Sequence, residues 1–263
     1  MAIKTKKFSR RSPFAAAAVV LAGLLVSGGS YVAATAAVNT TAKSEVTQET
    51  IDTGKKLFLA NCASCHGKNA EGTVNAPTLI GVGSAAVDFQ VGTGRMPGQA
   101  SGPQLQVKPV QFKQEDIDAM AAYVASLAPG PETPTDEYLA QTGNAAHGGE
   151  LFRINCAMCH NAVGAGGALT QGKYAPSLRE TSAKHIYEAM VTGPQNMPVF
   201  SNSNLSPSDK TDIITYLQYV QKNPSVGGDE LGNLGPVAEG LLAWLGMLGL
   251  IVVITIWLGA KSN

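Results

Sequence analysis

The chain has 263 residues, with 19 Lys and Arg set against 19 Asp and Glu, and 6% aromatic residues. That length is a soft prior of about two domains. Five of the cations fall between Lys4 and Arg11, which leaves a mildly acidic remainder and no clustered basic face of the kind nucleic-acid binding needs.

The first predicted element follows that basic cluster, Lys4, Lys6, Lys7, Arg10 and Arg11. An alanine-rich apolar run extends from Phe14 to about Val38, interrupted by Ser27-Gly28-Gly29-Ser30. With Ala34-Thr35-Ala36 as a small-residue cleavage site, residues 1–38 fit a signal peptide. The run also has the roughly 20 residues that a membrane helix needs, so a cleaved signal and a retained anchor helix both stand.

Residues 47–128 begin with Gly54-Lys55-Lys56-Leu57-Phe58-Leu59-Ala60-Asn61, a short amphipathic helix that delivers Cys62-Ala63-Ser64-Cys65-His66. The same order returns in residues 146–222: Gly148-Gly149-Glu150-Leu151-Phe152-Arg153-Ile154-Asn155 leads into Cys156-Ala157-Met158-Cys159-His160. These two motifs use every cysteine of the chain. CxxCH is the attachment pattern of c-type haem, in which two thiols bond one porphyrin and the next histidine ligates its iron. A zinc ribbon sets its cysteine pairs about 15–20 residues apart, whereas Cys62 and Cys156 are 94 apart. A thioredoxin-like motif needs a βαβ context that the sequence lacks. Two covalently bound haems c are therefore expected, on Cys62 and Cys65 and on Cys156 and Cys159, with His66 and His160 as axial ligands.

Downstream of each motif the repeat continues. Ala76-Pro77-Thr78-Leu79 matches Ala175-Pro176-Ser177-Leu178, where a backbone carbonyl is placed to accept the histidine Nδ1–H. Met96-Pro97 matches Met197-Pro198, 30 and 37 residues after His66 and His160, far enough for a loop to pass round a haem edge. Met96 and Met197 are thus the expected sixth ligands. Met120 and Met190 lie at apolar helical positions and read as core, Met158 is confined within its motif, and Met247 falls in the C-terminal apolar run. His147, whose position is not repeated in the first copy, and His185 are competing candidate ligands, though surface or packing roles are expected of both. His/Met ligation fills both axial positions and favours electron transfer, whereas an open position favours oxygen or peroxide chemistry.

Each copy closes on a helix with an apolar i, i+3, i+4, i+7 face: Ile117, Met120, Ala121 and Val124, then Ile213, Tyr216, Leu217 and Val220. In this alignment Asp116 and Asp212 are equivalent. Residues 129–145, opening on Pro129-Gly130-Pro131, read as a linker, and 223–240 as a tether. Leu241 to Ala260 is a run of twenty residues without charge, flanked by Glu239 and Lys261 and carrying Trp244 and Trp257 near its ends. It reads as a transmembrane helix with a cytoplasmic C-terminus, so that the haem domains lie on the extracytoplasmic side of the cell membrane.

Gly54 with Phe58, Gly148 with Phe152, and Tyr123 and Tyr219 on the closing helices resemble class I cytochrome c twice over. That family packs its first helix across its last, with a glycine at the crossing and an aromatic one turn later. The resemblance implies an all-α fold: two tandem class I cytochrome c domains, a C-terminal transmembrane helix and an N-terminal signal or anchor helix. From about residue 53 onward the chain also resembles the dihaem cytochrome c subunit, cytochrome cc, of actinobacterial cytochrome bcc complexes. The carrying segments are Thr93-Gly94-Arg95-Met96-Pro97, Gly172-Lys173-Tyr174-Ala175-Pro176, Thr192-Gly193-Pro194-Gln195-Asn196-Met197-Pro198 and Gly235-Pro236-Val237-Ala238-Glu239-Gly240.

This resemblance implies an electron carrier within a translocase-type menaquinol–cytochrome c reductase. Electrons come from a cytochrome b subunit and a Rieske iron–sulfur subunit, pass the haem on Cys62, Cys65, His66 and Met96, then that on Cys156, Cys159, His160 and Met197. They leave to an aa3-type oxidase in a supercomplex. A rival, the dihaem subunit of a cbb3-type oxidase, carries its anchor at the N-terminus, against the strong helix at 241–260. A second rival, a dihaem peroxidase, keeps one iron site labile and tolerates loss of Met96 or Met197.

Overall fold

A computed structural model of the chain describes residues 17–26, 28, 46–99, 104–223 and 236–261. Within the N-terminal apolar run, α1 (Ala17–Val26) is helical. At 1.5 Å per residue its ten residues reach about 15 Å, half the thickness of a bilayer core. The basic cluster and the Ala34-Thr35-Ala36 site lie outside the described residues.

The second helix, α2 (Gln48–Asn61), starts with Glu49 in its first turn and buries Gly54 and Phe58, one turn apart. The chain then winds one further turn, α3 (Ala63–His66), with Cys62 at its N-cap and His66 buried at its end. After a loop come α4 (Gly83–Gly92) and α5 (Gln114–Leu127), which buries Ile117 and the run from Ala119 to Val124. α2 crosses α5 with Gly54 at the contact, where any Cβ would collide with the Ala119 carbonyl. The Phe58 ring meets that of Tyr123 at 5.3 Å, and with Val124 and Ala70 they form one apolar cluster.

Short α6 (Asp136–Leu139) leads to the second copy. α7 (Ala145–Asn155) is capped by Asn144, whose side chain accepts from the backbone N–H groups of Ala146 and His147. One turn, α8 (Ala157–His160), again carries the cysteines and histidine. A two-residue antiparallel ladder follows, β1 (Gly167–Ala168) with β2 (Tyr174–Ala175), closed by the turn Thr170–Gly172. The hairpin takes up the extra residues that separate His160 from Pro176. α9 (Ala183–Thr192) is capped by Ser182 and stopped by Gly193 in the left-handed region. α10 (Pro207–Lys222) opens on a full capping box, Ser206 with Asp209, and a proline in its first turn. It crosses α7, with Gly148 against the Asp212 carbonyl.

The crossings correct the alignment of the two closing helices. Phe152 packs on Tyr216 at 5.5 Å, so Tyr216, not Tyr219, is the counterpart of Tyr123. Tyr219 is 57% exposed. Likewise Asp212 occupies the place of Ala119, not that of Asp116. A three-residue slip turns a helix by about 300°, so the apolar stripes of the two registers largely overlap and the pattern alone does not separate them. Asp212 therefore serves the crossing rather than a helix start: its carboxylate accepts the Asn144 N–H (2.6 Å) and the His147 Nδ1–H (2.8 Å). His147 is thus a surface partner of α10. In the corrected register Lys210 stands where the first copy has Ile117. It is fully buried, donating to the Leu205 carbonyl (2.7 Å) and to Asn202 Oδ1 (2.8 Å).

The last helix, α11, runs Pro236–Lys261. It begins inside the segment expected to be a tether, because a proline suits the first helical position and Glu239 the first turn. Its 26 residues reach about 39 Å, enough to cross a ~30 Å hydrocarbon core. Its large apolar side chains are exposed along its length, which makes it a candidate membrane anchor. Lys261 folds back over the Trp257 ring at 4.7 Å, an interfacial arrangement of cation and aromatic.

Candidate functional site

Each CxxCH motif sits on a single tight turn, so its two thiols and its histidine leave the backbone together. In the first copy the His66 Nδ1 lies 2.8 Å from the Pro77 carbonyl oxygen. In the second the His160 Nδ1 lies 3.0 Å from that of Pro176. A carbonyl only accepts, so each Nδ1 carries the proton and each Nε2 keeps its lone pair for a metal. This bears out the expectation placed on Pro77 and Pro176. Both rings are buried, and burial holds His160 below its ordinary pKa, in the neutral form that ligates. None of the four cysteines is paired in a disulfide. Burial, and then the neighbouring thiol, pushes Cys62 up to about 11 and Cys156 up to about 12.

The methionine loops are built alike. Thr93 and Thr192 each bond the carbonyl one turn back, Phe89 and Glu188. Gly94 and Gly193 follow at φ 70° and 60°, where L side chains are strained. Met96 then packs with Cys62, Leu57, Val87 and Phe112 around Val91, Ile117 and Met120. Met197 packs against the cluster of Phe152, Cys156, Met190 and Phe200. Met120 and Met190 are 2% exposed, as core residues.

In the second copy the pieces converge on a cavity of about 490 Å³ whose walls include Cys156, Cys159, His160 and Met197. Its lining is mainly apolar, with Phe152, Leu178, Ile186, Ile213 and Leu217. Two thiols, one imidazole with a free Nε2, a thioether and a large apolar cavity form a donor set that fits haem c.

The family model for cytochrome c matches residues 51–128. That for subunit III of cbb3-type cytochrome c oxidase matches 143–217. The chain is 42% identical to the cytochrome bc1 complex cytochrome c subunit of Mycobacterium tuberculosis, over 93% of this chain and 90% of that protein. It is 40% identical to the subunit of that name in Corynebacterium diphtheriae, over 99% and 98%. The chain belongs to the family of cytochrome c subunits of cytochrome bc1 complexes. Cytochrome c domains hold haem c covalently, and a chain of this family is an electron carrier. Likeness to the cbb3 group is local: the CcoP subunit of Rubrivivax gelatinosus is 30% identical over 66% of this chain and 55% of its own length.

Part of the second cavity was not foreseen from the sequence. Phe89, Thr93, Arg95, Gln104 and Val107, all from the first copy, line it. Gln104 clasps the hairpin by both ends of its amide, donating to the Tyr174 carbonyl (2.9 Å) and accepting the Tyr174 N–H (2.8 Å). The Leu105 N–H adds a longer bond to Gln195, 3.4 Å. These partners are 70 and 90 residues apart, beyond the reach of any local pattern. His185, expected at the surface or in packing, is three-quarters buried and also lines the cavity.

Proposed function

We propose that this chain holds two haems c and relays electrons from a Rieske/cytochrome b core, through its first haem domain to its second, and on to an aa3-type oxidase. The observation that carries the relay is the shared wall: residues of the first copy close the cavity of the second. In this reading Cys62 and Cys65, and Cys156 and Cys159, form the thioether links. His66 with Met96, and His160 with Met197, would hold the two irons. The domains span residues 47–128 and 146–222, joined by the linker 129–145.

A bound haem supplies a reversible one-electron iron couple. The chain supplies the rest. The Pro77 and Pro176 carbonyls fix the tautomer and plane of each histidine, and the apolar walls exclude water from the site. The thioethers of Met96 and Met197 would favour the reduced iron and leave oxygen and peroxide no open place on it. The haem domains face the extracytoplasmic side, because the basic N-terminus and Lys261 favour the cytoplasm. Membrane lipid surrounds α11. A second domain held on a membrane anchor replaces a diffusing carrier by raising its local concentration near the oxidase, within a supercomplex that includes the cytochrome b and Rieske subunits.

The haem count is tested by covalent haem staining and iron analysis of the purified full-length chain. Two haems per chain are expected, falling to one in Cys156→Ala/Cys159→Ala. A single haem in the unaltered chain would contradict the relay.

A further inference from the structure

The two copies also meet where α4 packs against α9, and a cluster of ionisable side chains is enclosed there. Asp88 on α4 and Glu188 on α9 are both fully buried. Asp88 Oδ2 is well supplied: Lys184 Nζ donates to it at 2.6 Å and Gln114 Nε2 at 3.0 Å. Asp88 Oδ1 and both oxygens of Glu188 receive no donor from any other group, and the two carboxyl groups lie within hydrogen-bond reach of each other when Glu188 holds a proton. His185 Nε2 stands 3.8 Å from Asp88 Oδ1, too far for a hydrogen bond. One donor atom each from Asp88, His185 and Glu188 all lie within 4.8 Å of one another. Two facing carboxyl groups in a closed space are costly to bury unless a proton or a cation lies between them.

We propose that Asp88, His185 and Glu188 form a binding site for a divalent cation of the zinc class at the junction of the two haem domains. Donors each ~2.0–2.2 Å from one tetrahedral ion lie about 3.4 Å apart, so this group, within 4.8 Å and with His185 Nε2 at 3.8 Å from Asp88 Oδ1, needs only a small inward shift to close on one. His185 and Glu188 are three residues apart on one helix, so they share a face, and Asp88 comes from the helix opposite. One imidazole nitrogen with carboxylate oxygens selects zinc-like ions over calcium or magnesium. Lys184 stays on the far oxygen of Asp88, its side chain one-third exposed, so it does not fill the space between the three donors. A bound ion ties α4 to α9 and fixes how the second cavity is closed. The competing occupant is a proton: with no cation, burial and then Asp88 push Glu188 up to about 9.

The test is equilibrium dialysis of zinc into the chelator-stripped, haem-loaded, full-length chain, followed by metal analysis. The expected result is one zinc per chain, with affinity lowered at least ~10–100-fold in Glu188→Gln and Asp88→Asn. His147→Asn is the control. It disrupts the exposed group His147, Asp209 and Asp212, whose carboxylates already accept hydrogen bonds, and it should keep the zinc. X-ray absorption at the zinc edge of the unaltered chain reads the site without any variant and should show one imidazole among oxygen ligands. No zinc retained, or zinc lost in His147→Asn and kept in Glu188→Gln, would overturn the proposal.

Discussion

Gly148→Ala is expected to destabilise the second haem domain strongly, and Gly54→Ala the first. At Gly148 an added Cβ falls on the Asp212 carbonyl, and at Gly54 on that of Ala119. In each case the obstacle is main chain in the middle of a helix, which cannot rotate aside as a side chain does. The helices must separate, opening the packing of Phe152 on Tyr216 or of Phe58 on Tyr123. Overpacking of a core typically costs about 1–3 kcal/mol, and a backbone clash at the tightest crossing belongs at or above the upper end. Against a total stability of about 5–15 kcal/mol, such a loss is a large fraction of the whole. In thermal melts of the full-length chain, ~3 kcal/mol corresponds to a drop of roughly 12–24 °C for a domain of this size. Gly149→Ala provides the graded comparison, since its Cβ would meet the Tyr216 ring at 3.1 Å, a side chain able to give way. A Gly148→Ala chain that melts like Gly149→Ala would show that α7 and α10 are not held at this crossing.

Met197→Ala, the second large effect, is expected to leave the haem attached and stop electron flow through it. Attachment depends on Cys156 and Cys159, which the substitution does not touch. The sixth position loses its thioether, and with it the preference for reduced iron, so the potential falls by part of the roughly 0.8 V range that axial ligands command. Met197 also packs on the cluster that contains Phe152 and Phe200, so truncation opens space beside the site. Met190→Ala removes the other methionine of that cavity wall. It therefore separates the two roles: it should lower stability, by about 2–5 kcal/mol for a buried methionine, while the potential holds. Redox titration with spectral detection reads both variants. A Met197→Ala haem that keeps its potential and turnover would remove Met197 from the iron and revive the peroxidase reading.

The site was more legible than the packing around it. Thiols and imidazole must sit at fixed covalent spacing, so Cys62 to His66 and Cys156 to His160 stand out in the chain whatever surrounds them. The repeated Ala-Pro likewise marked the carbonyls that bind His66 and His160. Gly54 and Gly148 were readable through the resemblance to class I cytochrome c, and the structure supplies the reason: the close approach of two helices leaves room for no other residue. Helical registers are softer. A slip of three residues preserves the apolar stripe, which hid Tyr216 behind Tyr219 and misplaced Asp212. Contacts between the copies left no local trace at all. Gln104 on Tyr174, and Asp88 beside Glu188, join residues 70 and 100 positions apart, and each residue alone reads as an ordinary polar side chain in a loop or helix.

The most direct test follows the c-haem absorbance of native membranes in time after a menaquinol analogue is added with the terminal oxidase blocked. The account predicts rapid reduction of both haems, abolished by a quinol-site inhibitor, and prompt reoxidation when the oxidase is released. Haem that stays oxidised, or that reduces equally fast with the inhibitor present, would contradict a place for this chain between a quinol-oxidising core and the oxidase.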